Sequence, residues 1–272
     1  GNLDKIRKNT AAPLYPKLFR SERTERLIER FVLPRAAMVA APNPDNLEFA
    51  LSAGARKEVT TIFRYGNLLA AEHLVEPGER GLDHGLFTKL GLEKGKFLLS
   101  VGRLHPSKFP EDCVYALSVL LKRGYDIKLI FAGEGILESS LRTQAERLGI
   151  AQYIIFAGNQ TQPELAQLNT HSAVVLSPLT GRALSESGLS GAAIVAYDLD
   201  WQNELIKNDK TGFLIPFRNK DMFVDAVEKM LTTPSLKLKM GTAVREQALS
   251  MLDPGRLNEH ERSEYRRILG LG

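Results

Sequence analysis

From residue 97 onward, short apolar runs alternate with segments of helical period, and this alternation restricts the possible folds most strongly. The apolar runs are Phe97–Val101, Lys128–Ala132, Ile154–Ala157, Ala173–Leu176 and Ile194–Tyr197. Continuous runs of this kind predict parallel strands that are covered on both faces. The intervening segments, such as 111–122 and 138–148, carry leucines at helical spacing. Right-handed crossovers between such strands build an α/β fold with a doubly wound parallel sheet.

The composition excludes several other classes of protein. Of the 272 residues, 43% are hydrophobic and 25% are charged, which is typical of a globular protein and not of a disordered or fibrous one. A net charge of +4 is too small to indicate a nucleic-acid partner. Cys113 is the single cysteine, so we expect neither disulfides nor a cysteine-based zinc site. The five histidines have no metal-binding spacing, and we expect no metal and no cofactor.

The first ninety residues contain fewer elements than a complete doubly wound domain needs. The pattern predicts helices over 20–35 and 44–53 and strands over 36–41 and 58–63. After residue 216, helices are predicted over 220–231, 235–252 and 256–269. We therefore divide the chain into the end of an N-terminal domain with a linker (1–90), a sheet domain (91–234) and C-terminal helices (235–272).

Candidate ligand-binding residues follow the predicted strands, because ligands of such sheets bind beyond the carboxyl ends of the strands. The loop after Val101 contains Gly102, Arg103 and Lys108, whose two cations can converge on a diphosphate. An ordinary surface loop whose two cations are solvated and bind no ligand explains the same residues equally well. The next two loops contribute glycines and polar residues: Gly133, Glu134, Gly158 and Asn159.

The stretch 177–191 follows the fourth strand and opens a helix. Its candidates are Gly181 and Arg182, whose amides can face an anion, and Glu186, whose carboxylate can accept hydrogen bonds from a ribose diol. Taken by itself, Glu186 is more easily explained as a surface acid. Asp198 and Asp200 follow the fifth strand, where we favour a helix cap and a turn residue over a metal-binding pair.

Taken together and in order, these positions resemble the donor-binding half of retaining GT-B glycosyltransferases of the large group 1 class. The resemblance rests on five stretches and covers about residues 97–252: VGRLHPSK (101–108), AGEG (132–135), IFAG (155–158), ESGLSGAAIV (186–195) and NDKTGFLIP (208–216). It implies a Rossmann-like donor domain with a partial second domain. Upstream, 35–42 and 63–67 resemble the end of the acceptor domain of the same class.

The resemblance implies roles for individual residues. Arg103 and Lys108 would stabilise the departing diphosphate, and Glu186 would bind the ribose of the donor. The other residues around the donor would be Gly102, Gly133, Glu134, Gly158, Asn159, Gly181 and Arg182. Two departures stand out. The first is that the family has a glutamate for the donor sugar eight residues before the position of Glu186, where this sequence has Pro178. The second is that YDLDWQ (197–202) replaces the usual T-D-x-G-G of the family.

The expected activity is therefore transfer of a sugar, with retention, from a UDP- or GDP-linked donor to the hydroxyl of a glycan or lipid-linked acceptor. Because most of an acceptor domain is absent, we expect this chain to carry mainly the donor-binding half. A non-catalytic nucleotide-binding or scaffold module and a GT-B-fold nucleotide-sugar epimerase are the alternatives. We expect a cytoplasmic protein, since no apolar run could span a membrane. For the basic residues 5–23 we favour a solvated helix face, and weak peripheral membrane contact is the alternative.

Overall fold

The computed structural model describes residues 22–64 and 70–271, and its largest element is a six-stranded parallel sheet. The strands of this sheet are β3 (Phe97–Val101), β4 (Lys128–Ala132), β5 (Ile154–Gly158), β6 (Val174–Ser177), β7 (Ile194–Tyr197) and β8 (Phe213–Ile215). Their spatial order is β5-β4-β3-β6-β7-β8. The prediction of a doubly wound parallel sheet is confirmed, and the observed strands agree with the predicted runs to within a residue or two.

The order of the strands places a reversal between β3 and β6. From β3 the chain first winds outward to β4 and β5, then returns to the other side of β3 and continues through β6, β7 and β8. At such a reversal the loops after the two central strands diverge and leave a crevice. Here those loops are the ones that begin at Gly102 and at Pro178, which are the two richest in candidate site residues.

Helices connect the strands and cover both faces of the sheet. In chain order they are α3 (His84–Leu90), α4 (Pro110–Lys122), α5 (Glu138–Arg147), α6 (Gln162–His171), α7 (Ala183–Leu189), α8 (Gln202–Leu205), α9 (Lys220–Thr232) and α10 (Pro234–Leu252). The residues of the inner strands β3, β4, β6 and β7 are almost all buried, with Leu98, Leu129 and Val195 each 0% exposed, whereas most of the edge strand β5 is partly buried. Burial on both faces explains why these strands are continuously apolar in sequence.

The described chain divides into two compact units, and residues 70–251 with the six-stranded sheet belong to the first. The second comprises 22–64 and 252–271. Its elements are α1 (Glu22–Val32), β1 (Val39–Ala41), α2 (Pro44–Ser52), β2 (Thr60–Ile62) and α11 (Pro254–Leu269). The parallel strands β1 and β2 are shorter than the predicted runs. The domain boundaries drawn at residues 90 and 234 stay predictions.

Within the second unit, the last helix of the chain packs against the segment that follows β2. The ring of Phe63 meets His260 and Tyr265 edge-on, at centroid distances of 5.6 and 6.0 Å. Thr61 Oγ1 lies 3.1 Å from His260 Nε2.

In neither described segment is any helix long and apolar enough to cross a bilayer. The predicted membrane-contacting residues 5–20 lie outside the described residues, as do residues 65–67 of the stretch that resembles the acceptor domain.

Candidate functional site

Backbone hydrogen bonds join the loops after β3, β4 and β5 into one layer at the carboxyl edge of the sheet. The amide of Gly102 donates to Ala132 O (3.0 Å), and that of Leu104 donates to Glu134 O (2.9 Å). In the next loop, Gly133 N donates to Gly158 O (2.8 Å). The glycines that the sequence predicted to line a ligand thus also hold three loops together.

Two glycines of this layer have no room for a side chain. A Cβ at Gly133 would overlap Gly102 O, and a Cβ at Gly135 would overlap Leu104 O. Gly133 also has a φ of +142°, in the region that L-residues with side chains rarely adopt. The two glycines therefore let the second loop approach the backbone of the cation-bearing loop, and they set the position of Arg103 indirectly.

Lys108 lies at the crevice between the loops after β3 and β6. It ends a short 3-10 turn (Pro106–Lys108), and its Nζ is 3.3 Å from the place where a Cβ of Gly181 would stand. Burial, followed by the charge of Arg103, lowers the pKa of Lys108. An anion that binds beside both cations removes this electrostatic cost, so the local field favours a ligand with more than one negative charge.

Glu186 lies in the first turn of α7 and is 4% exposed. Burial raises the pKa of its carboxyl group, and Arg182, whose Nε is 3.8 Å from Glu186 Oε1, opposes that rise. A buried carboxylate with one distant cation retains the capacity to accept hydrogen bonds. The alternative of an ordinary surface acid does not fit this burial.

The remaining candidates lie nearer the other edge of the layer. Glu134 and Asn159 are exposed, and Glu134 Oε1 is 3.3 Å from the place of a Cβ on Gly158. The structure thus groups Lys108 with Arg103 and Gly181 on one side, and Glu134 with Gly158 on the other. Asn159 follows Gly158 directly.

Two residues that the sequence analysis did not single out shape this edge. Gln202 is fully buried, and its Nε2 donates to the carbonyls of Ser177, Pro178 and Tyr197 at 2.9–3.3 Å. Phe109 adopts a left-handed φ of +53° directly after Lys108 and packs against Phe217. The departure of residues 197–202 from the T-D-x-G-G pattern drew attention to the loop that contains Gln202. No rule of residue spacing, however, predicts that a glutamine is buried and joins two loops by hydrogen bonds.

The loop of Asp198 and Asp200 corrects one expectation. Asp198 does not cap a helix, because the residue before α8 is Trp201. Asp200 is the turn residue, with a φ of +57°. Within 22–64 and 70–271, no group of three His, Cys, Asp or Glu side chains is placed to hold a metal ion.

Comparisons with known proteins agree with this architecture. The chain is 27% identical over 157 residues to alpha-D-kanosaminyltransferase of Streptomyces kanamyceticus. It is 30% identical over 156 residues to alpha-monoglucosyldiacylglycerol synthase of Streptococcus pneumoniae. Each match covers 56% of this chain but only 40% and 35%, respectively, of the relative, so the chain spans well under half the length of these two proteins.

The fold is also that of solved structures. The Anabaena protein HepE, crystallised in complex with UDP, superposes with a TM-score of 0.77 at 19% identity, over 93% of this chain and 70% of HepE. At this identity the likeness shows the fold only, which is the GT-B-like α/β fold expected from the sequence. The family model described as "Glycosyl transferases group 1" matches residues 86–247, more than half of the chain. The chain therefore belongs to the group 1 glycosyltransferases.

Proposed function

We propose that this chain carries the donor-binding half of a retaining glycosyltransferase that uses a nucleotide diphosphate sugar. The observation that carries the proposal is the position of Lys108 at the reversal of the sheet, where its Nζ lies 3.3 Å from the place of a Cβ on Gly181 and the charge of Arg103 acts on it. Two cations at this crevice match the two phosphates of such a donor. The buried Glu186 opens the neighbouring helix and is assigned to the ribose diol.

In the proposed reaction, the bond between the anomeric carbon and the β-phosphate oxygen breaks, and the acceptor oxygen bonds to the same face of that carbon. The acceptor proton passes to the departing phosphate oxygen. Negative charge grows on the diphosphate as the bond breaks, so fixed cations stabilise the transition state more than the ground state. Arg103 and Lys108 hold this role, and neither a protein nucleophile nor a metal is required.

The donor is proposed to be UDP- or GDP-linked, and the acceptor a glycan or a lipid-linked hydroxyl. One relative is named as a synthase of a glucosyl lipid and another as an aminosugar transferase, so the family members themselves differ in substrates. Peripheral membrane contact would suit a lipid-linked acceptor. It remains part of the proposal, as do a cytoplasmic location and the absence of a cofactor.

The first test is calorimetric titration of the chain with UDP, GDP and ADP. We expect one of them to bind and Lys108→Ala to weaken that binding at least tenfold, since a charge-assisted hydrogen bond contributes about 1.5–3 kcal/mol. Lys122→Ala, which removes an exposed lysine at the end of α4, is the control. Equal binding by Lys108→Ala and the parent would refute the assigned role of Lys108.

The two alternatives give different results. A scaffold that has lost its ligand binds none of the three nucleotides, and its support is Pro178 in place of a donor-site carboxylate. An epimerase converts a nucleotide sugar without any acceptor, which proton NMR of UDP-glucose or UDP-N-acetylglucosamine incubated with the protein would detect.

A further inference from the structure

The sugar end of the proposed donor site lacks one carboxylate. Pro178 is buried directly after β6, and its carbonyl accepts a hydrogen bond from Gln202 Nε2 (3.2 Å). Proline has no side-chain group that could accept a hydrogen bond from a sugar hydroxyl. The charged group nearest Gly181 is the cation Lys108, and Glu186 is assigned to the ribose, so a second carboxylate for sugar hydroxyls would come from another loop.

The loop after β7 brings Asp200 to this place. Strands β6 and β7 pair in parallel, with Ser177 opposite Ala196, so the loops that follow them are neighbours. Gln202 then ties the two loops together through Ser177 O (3.3 Å), Pro178 O (3.2 Å) and Tyr197 O (2.9 Å). Asp200 lies between Leu199 and Gln202, both 0% exposed, and is itself only partly exposed.

The backbone at Asp200 is unusual for its position. Its φ of +57° is left-handed, a conformation that favours glycine, and the resemblance noted above places a glycine here. An aspartate in this conformation is strained relative to glycine. Residues on either side of Asp200 are buried, and the negative charge of Asp200 opposes the lowering of the pKa of Lys108.

We propose that Asp200 is a specificity-determining residue whose carboxylate accepts hydrogen bonds from hydroxyls of the donor sugar, in place of the carboxylate that is missing at Pro178. The inference rests on the proposed function, because it needs a nucleotide sugar at the same crevice.

The proposal predicts opposite effects on two ligands. In the absence of a sugar, Asp200 offsets part of the positive charge of Lys108, so its removal strengthens or leaves unchanged the binding of UDP or GDP. With a sugar attached, the same removal deletes hydrogen bonds to hydroxyls. A residue with a purely electrostatic or structural role would change both affinities in the same direction.

The experiment compares calorimetric affinities of the full chain for UDP, UDP-glucose, UDP-N-acetylglucosamine, GDP and GDP-mannose. Asp200→Asn is the first variant, because asparagine tolerates the left-handed conformation as well as aspartate does. Asp200→Gly is the second, since it removes the side chain and relieves the backbone. Asp198→Asn is the matched control, an exposed aspartate two residues away.

We expect the parent to bind one nucleotide sugar more tightly than its nucleotide. Asp200→Asn and Asp200→Gly should reduce that preference about tenfold or more, as expected for loss of a charged acceptor, while Asp198→Asn keeps it. If the parent binds nucleotide and nucleotide sugar equally, or if the Asp200 variants keep the preference, the inference fails while the proposed function stands. If the parent binds none of the five ligands, both fail.

Discussion

At the scale of single residues, the site depends on backbone groups as much as on charged side chains. Gly135 illustrates this, because its position leaves no room for a side chain. A methyl group there would overlap the carbonyl of Leu104. Leu104 O also accepts the amide of Leu137 (3.0 Å), so displacing it disturbs both loops. A glycine that looks unremarkable in a βα turn is therefore a structural requirement of the neighbouring cationic loop.

We predict that Gly135→Ala lowers the free energy of unfolding by about 1–3 kcal/mol and weakens nucleotide binding, because overpacking shifts the Arg103 loop. Chemical denaturation and calorimetric titration would measure the two effects. Gly78→Ala is the control, since a Cβ at Gly78 meets nothing within 4 Å, and it should change stability by less than about 1 kcal/mol. Equal stability of both variants would contradict the prediction.

Phe109 shows how burial of a side chain can offset backbone strain at this scale. The residue after the cationic Lys108 adopts a left-handed conformation, which glycine would adopt without strain. Phe109 accepts that cost and is 2% exposed, with its ring 5.2 Å from that of Phe217. Burial of an aromatic ring contributes several kcal/mol, which exceeds the roughly 1–2 kcal/mol of backbone strain.

At the scale of elements, one side chain holds the ends of β6 and β7 in register. Gln202, at the start of α8, accepts from Ser177 Oγ (2.6 Å) and donates to carbonyls of both strand ends. These carbonyls are buried, and buried acceptors without partners are costly. The loops that contain Gly181 and Asp200 therefore share one anchor.

We predict that Gln202→Leu, which keeps the size of the side chain, lowers the free energy of unfolding by about 2–4 kcal/mol through carbonyls left without a donor. It should also weaken binding of a nucleotide sugar more than binding of the nucleotide, because it releases the loops assigned to the sugar. The exposed neighbour Asn203→Ala provides the control. A stable Gln202→Leu protein with parental affinities would show that the tie is dispensable.

Much of the element scale was predictable from sequence. Strand runs such as Phe97–Val101 and Lys128–Ala132 have the predicted boundaries, because burial on both faces forces a continuous apolar pattern. The strands β1 and β2 are shorter than the sequence pattern predicts, and the pattern does not predict 3-10 turns such as Pro106–Lys108. Their ends depend on hydrogen bonds with other segments, which local patterns do not encode.

At the scale of the whole molecule, the segment 70–76 is anchored to the sheet-containing unit by buried polar groups. His73 is 0% exposed, with Nδ1 2.9 Å from Ser190 Oγ and Nε2 2.8 Å from Gln162 Oε1. Arg245 of α10 donates to the carbonyls of His73 and Leu74 and also pairs with Glu76 (2.9 Å). The segment 70–76 is thus packed into this unit by hydrogen bonds and an ion pair.

Burial lowers the pKa of His73 below its ordinary value of about 6.5. Between these two pKa values the unfolded chain binds more protons than the folded one, so the free energy of unfolding falls as the pH drops below about 6.5. One such histidine contributes up to about 1.4 kcal/mol per pH unit. The same sign applies to His171, whose pKa is also lowered by burial.

We predict that His73→Gln reduces this pH dependence by up to one bound proton. The measurement is urea denaturation between about pH 5 and pH 7, expressed as the difference between parent and variant, so that contributions of buried carboxylates such as Glu186 cancel. The double variant with His171→Gln should lose a second proton. A pH dependence of His73→Gln equal to that of the parent would contradict the buried, neutral state of His73.

The sequence by itself determined the class of fold and the family, and it predicted the edge of the sheet at which a ligand binds. These follow from local physics: apolar periodicity specifies strands and helices, and parallel strands direct their following loops to one edge. Only the tertiary structure decided which groups meet there. The approach of Lys108 to Gly181, the tie made by Gln202 and the place of Asp200 join residues that are distant in sequence. Such pairs arise from packing, because an electrostatic or hydrogen-bonded contact depends on distances that only the folded chain establishes.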